Sequence, residues 1–129
     1  MVSVSNIFDF SLESVDAEVF EDIVKSEHVR VERTLSKGHS SPKDGWYDQD
    51  ENEWVIVLQG NGRLVFDDGT EIELDAGDHV NLSAHKRHRV VWADPDNVTV
   101  WLAVFTSKPQ SVQIFRRWGL FTTRTSRRA

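Results

Sequence analysis

The chain contains no cysteine. Disulfides, thiolate metal sites and cysteine nucleophiles are therefore excluded. No apolar run approaches the length of a membrane span. Met1 to Phe10 lacks the basic start and long apolar stretch of a secretory signal. A soluble, cytoplasmic protein is the expectation. No serine sits in a glycine-rich nucleophile elbow, and no glycine loop follows a strand to cradle phosphate at a helix start. Acidic residues are missing altogether after Thr106, where Lys108, Arg116, Arg117, Arg124, Arg127 and Arg128 stand. The formal net charge is −6, so the rest of the chain holds 9 basic against 21 acidic residues, a balance of −12. An acidic body argues against nucleic acid as the main partner. The basic tail could meet RNA, DNA, an acidic surface or its own body, or simply be solvated.

What is present suits one domain. The 129 residues are 39% hydrophobic and include five Trp and seven Phe. A chain of this length buries a substantial core. Three stretches follow one another: residues 1–28, 29–106 and 107–129. In the first, Val15, Val19 and Ile23 recur every four residues, which predicts a short helix packed on the body.

The second stretch reads as strands. Val29 to Leu35 alternates apolar and polar, as a half-buried strand does. Trp54 to Leu58 is continuously apolar, as in a strand covered on both faces. Further strands are expected over Arg63–Phe66, Thr70–Leu74, Val80–Leu82, His88–Trp92 and Val98–Phe105. Gly60-Asn61-Gly62, Asp67-Asp68-Gly69, Asp75 to Asp78 and Ala93 to Asn97 supply the turns between them. Short strands at this spacing predict an all-β sandwich or barrel. In the third stretch, Val112, Ile114 and Phe115 could form one more strand or dock on the barrel.

Two segments carry a family resemblance. Glu53 to Gly60, a glutamate followed by a strand and a glycine turn, resembles the second half of the first cupin motif. Gly69 to Asp78, continuing from Leu82 through His88 to Val90, resembles the second cupin motif and the strand before it. The resemblance covers about residues 29–105 and implies a double-stranded β-helix, or jelly-roll barrel, often assembled as a homodimer. In its metal-binding members it implies a site of three histidines and one glutamate. Glu53 and His88 match that pattern. The two early histidines do not: their places fall at Tyr47 and Gln49 in one spacing, or at Trp46 and Asp48 in the other.

Candidate site residues follow. Glu53 shares a strand face with Val55 and Val57, so an inward Glu53 would need a cation, hydrogen-bond donors or a proton. Glu53, His88 and Gln49 could together hold a divalent ion such as Zn, Mn, Fe or Ni. Tyr47, Gln49, Trp46 and His39 are the candidates for contact with a small polar ligand. Each also has a plain structural role open to it: a hydrogen-bonded acid, a packed loop aromatic, a rim histidine.

Three functions stay open. The first is a metal-assisted oxygenase, isomerase or lyase step on a small polar molecule. The second is a non-catalytic ligand-binding barrel. The third is a structural or regulatory homodimer that reaches a partner through its basic tail.

Overall fold

The computed structural model describes residues 2–11, 17–43 and 45–107. Eight strands run in chain order: β1 (Val19–Lys25), β2 (Val29–Ser36), β3 (Asn52–Gln59), β4 (Asn61–Phe66), β5 (Glu71–Asp75), β6 (His79–Leu82), β7 (His88–Ala93) and β8 (Thr99–Thr106). Each strand expected between Val29 and Phe105 is present to within two residues at either end. The strands form two antiparallel sheets, one in the order β1-β2-β8-β3-β6 and one in the order β5-β4-β7. From β3 onward the chain passes repeatedly from one sheet to the other, which is jelly-roll connectivity. No described helix is long and apolar enough to cross a membrane.

The expected N-terminal helix is corrected. Val19–Lys25 is an edge strand hydrogen-bonded to β2, with Val19 opposite Leu35 and Lys25 opposite Arg30. A spacing of four is also a multiple of two, so Val19 and Ile23 fit a strand as well as a helix. The β1–β2 pairing decides between them. Residues 12–16, where that helix would begin, and the basic tail after Ser107 lie outside the described residues.

The core sits between the sheets. Val55, Val57, Leu64, Phe66, Leu82 and Trp101 are among its buried members, all under 9% exposed. Glycine makes two close passages possible. Gly60 turns the chain from β3 into β4 with φ +93°, and a Cβ there would overlap Thr99. Gly62, inside β4, lies flat beneath the Trp101 ring, which occupies the space a side chain would need. The turn predicted over residues 60–62 therefore ends at Gly60, and Gly62 is a strand residue.

β2 turns its polar face inward. Arg30, Glu32 and Thr34 point into the space between the sheets. Val31, Arg33 and Leu35 face the other way, where Leu35 packs with Val98 and Val100 under Phe10 and Val19. Arg33 is buried and pins the N-terminal segment, donating to the carbonyls of Ile7 (3.0 Å) and Asp9 (3.1 Å) and to Glu21 (3.2 Å).

Candidate functional site

The long β2–β3 connection is strapped along β7. Ser41 N–H donates to the Val90 carbonyl (2.8 Å), and Val90 N–H donates to the Ser41 hydroxyl (3.0 Å). Tyr47 and His88 exchange both backbone hydrogen bonds, at 2.8 and 3.2 Å. His85 N–H donates to the Gln49 carbonyl (2.9 Å). This pairing fixes the loop's register. It sets Tyr47 and Gln49, two residues apart, on one side of the loop and towards β3.

Between the sheets lies a half-enclosed cavity of about 270 Å³. Its floor is apolar, with Val55, Leu64, Leu82, Val90, Trp101 and Phe105. Its polar wall carries Glu18, Arg30, Glu32, Tyr47, Gln49, Glu53 and His88. Four of the sequence candidates, Tyr47, Gln49, Glu53 and His88, therefore meet in one place. Trp46 and His39 do not line it. Trp46 lies under the Arg89 guanidinium, 4.7 Å from its centre. His39 Nδ1 accepts from Lys37 N–H at 2.9 Å. His85, at φ +65°, contacts Asp48 (2.7 Å) and Asp50 (3.0 Å) on the outer rim.

Gln49, Glu53 and His88 form a chain. The Gln49 side-chain amide donates to Glu53 Oε1 at 2.8 Å. His88 Nε2 lies 3.3 Å from the same oxygen. His88 Nδ1 lies 2.8 Å from the Lys86 carbonyl. A carbonyl only accepts, so Nδ1 carries a proton and Nε2 is the nitrogen that titrates. Burial pulls the His88 pKa down, but the Glu53 carboxylate and the Lys86 carbonyl outweigh it and hold the value above 6.5. Glu53 thereby stabilises the imidazolium relative to that of an ordinary histidine, and in that form Nε2 donates to it.

Arg30, Glu32 and Glu18 were not singled out from the sequence. Arg30 donates to Glu32 and to Glu51, each at 3.0 Å, and its guanidinium stacks 3.9 Å from the Phe105 ring centre. Burial raises the Glu32 pKa, against the pull of Arg30. Burial also raises that of Glu18, whose carboxylate accepts from the Ser36 hydroxyl at 3.0 Å. The Tyr47 phenol is raised by burial and by the Glu18 charge. The available signal was Arg30, Glu32 and Thr34 at period two, a polar face on one strand.

A divalent metal ion of the kind the fold family often holds needs several lone pairs converging on one point. One imidazole, His88, lines the cavity with three carboxylates, and of these only Glu53 lies against it, the two being already bonded to each other. Gln49 presents its amide N–H₂ to that carboxylate, so a donor faces the pair where a metal needs a lone pair. Among the described residues no three His, Asp or Glu side chains converge as a metal cluster. The residues present do not fit a resident divalent ion.

The comparisons agree on the fold. The family model described as "Cupin domain" matches residues 31–105. The chain matches no curated protein. A solved structure from Ralstonia eutropha JMP134, named as a candidate mannose-6-phosphate isomerase, is 31% identical. The match covers 83% of this chain and all of that one, with a TM-score of 0.78. A cupin superfamily protein from Desulfitobacterium hafniense DCB-2 is 19% identical over 73% of this chain and 81% of its own, with a TM-score of 0.61. The DMSP lyase DddQ of Ruegeria pomeroyi DSS-3 is 14% identical over 80% of this chain and 53% of its own, with a TM-score of 0.62. The last two are alike in fold alone. With its two motif segments, its jelly-roll sheets and a family match across residues 31–105, this chain belongs to the cupin domain family.

Proposed function

We propose that the barrel binds a small polar organic molecule against the Gln49–Glu53–His88 chain, with no metal ion between ligand and protein. The observation that carries this reading is convergence. Side chains from the β2–β3 loop, β3 and β7 meet in one half-enclosed cavity with an apolar floor and a few directed polar groups. That is the make-up of a small-molecule site, and about 270 Å³ suits a small occupant.

The Glu53–His88 pair favours a second reading, in which the ligand is also transformed. When protonated, the buried His88 beside a carboxylate would hold a proton at Nε2 and could deliver it to, or recover it from, a bound molecule. Isomerase and lyase steps both need such a transfer. The name given to the Ralstonia relative is in keeping with chemistry of that kind.

Thermal melting of the full chain against a set of small polar compounds tests the binding reading. Glu53→Gln is run beside it, with metal content measured by plasma mass spectrometry. Compounds that raise the parent's Tm are expected to raise that of Glu53→Gln less, with metal substoichiometric in both proteins. Stoichiometric metal in the parent, lost in Glu53→Gln and in His88→Gln, would overturn the metal-free site.

A further inference from the structure

The charges around the cavity do not balance. Three carboxylates line it, Glu18, Glu32 and Glu53, against one guanidinium, Arg30. Arg30 is already engaged by Glu32 and Glu51 at 3.0 Å and lies 3.9 Å from Asp22. An incoming phosphate would have to displace carboxylates from the only arginine or lysine among the described residues of the wall. Glu53 is matched by His88 and Gln49. Glu18 is different. Its hydrogen bond is to a neutral hydroxyl, Ser36, and among the described residues no Lys, Arg or His nitrogen lies within ion-pair distance of it; His39 acts on it only through space.

Glu18 shares its end of the cavity with aromatic surface. Phe20, two residues on, lines the same space and is 52% exposed. Tyr47 also lines it, is 38% exposed, has its ring tilted against His88 at 5.6 Å between centres, and feels the Glu18 charge at its phenol. A carboxylate with no ion-pair partner among the described residues, beside partly exposed aromatic side chains, is the environment an organic cation seeks, because ring quadrupole and carboxylate attract it together.

Resting on the ligand-binding reading above, we propose that the cavity selects a small organic cation of the ammonium type, held by Glu18 against Phe20 and Tyr47, and rejects phosphorylated sugars. The apolar floor takes the ligand's carbon skeleton. The Gln49–Glu53–His88 chain meets its polar end. This chain thus parts from the substrate in the name of its Ralstonia relative by the charge of its wall, on the same barrel.

Calorimetric titration of the full chain tests this with choline, its uncharged isostere 3,3-dimethylbutan-1-ol, mannose and mannose 6-phosphate. Choline is expected to bind, the isostere about tenfold or more weakly, and mannose 6-phosphate not at all. Glu18→Gln should weaken choline to the level of the isostere and leave the isostere unchanged. Phe20→Leu, at a half-exposed position, should weaken choline several-fold if Glu18→Gln proves unstable. Mannose or its phosphate binding as tightly as choline, with Glu18→Gln silent, overturns the charge selection and leaves the binding pocket standing. Choline failing while a neutral compound binds does the same. Failure of all four, together with no stabilising compound in the wider melting screen, overturns both.

Discussion

At the scale of single residues, His88 makes the sharpest commitment. Its folded pKa lies above 6.5. The stability it contributes is therefore fully present below the unfolded value and is lost as pH rises through the folded one. The urea midpoint of the parent should accordingly fall as pH is raised from about 6 through neutrality. His88→Gln should remove that portion of the slope. An unchanged slope in the variant would show that the imidazolium–Glu53 pair is not formed. Arg33 is the second such residue. Replacing it with Met removes hydrogen bonds from a charged donor to the Ile7 and Asp9 carbonyls, each worth about 1.5–3 kcal/mol when buried. Faster proteolytic cleavage before Phe10, with the barrel intact, is the expected outcome. Glu53 and His88 were legible because their motif spacing survives, and Tyr47 and Gln49 because they occupy the places of absent ligands. Glu18, Arg30 and Glu32 were not. Alternation along Val29–Leu35 reports a period but not which face turns inward, and here the polar face does.

At the scale of elements, the strands between Val29 and Phe105 were readable from alternation and turn residues because buried faces and tight turns leave marks in composition. β1 left none. As an edge strand it is exposed along most of its length, so no burial pattern favours strand over helix, and only the partner strand settles it. The β4–β8 contact shows the opposite case, in which one position admits a single residue type. Trp101 lies across Gly62, and adding even a methyl group there overlaps the indole. Gly62→Ala should cost about 1–3 kcal/mol, the usual range for overpacking, read as a lower urea midpoint. Since Trp101 also lines the cavity, the same variant should weaken any bound ligand. A variant as stable as the parent would mean that the ring moves freely.

Across the whole molecule, charge is arranged at two levels. The body carries −12 against the formal total of −6, and the cavity within it repeats that sign. Long-range attraction and the local site therefore pull a cation the same way. Raising ionic strength from about 20 to 200 mM shortens the Debye length from about 20 Å to under 10 Å, and cation affinity should fall with it. Affinity indifferent to salt would leave only the short-range contacts to account for binding. This layout was partly legible. The acidic excess is plain in the composition, but its concentration on the cavity wall depends on β1 and β2 folding back over the pocket, which no local pattern announces.

One hydrogen-bonded line inside the barrel has a practical consequence. The Trp101 indole N–H donates to the Ser36 hydroxyl at 3.0 Å, and that hydroxyl donates to Glu18 at 3.0 Å. The indole at the cavity floor is thus wired to the carboxylate in its polar wall through one buried oxygen. Anything that neutralises or engages Glu18 alters the field on that ring. The protein therefore carries its own optical reporter: a change in tryptophan emission that is absent from Trp101→Phe should mark occupancy of the pocket without any added label.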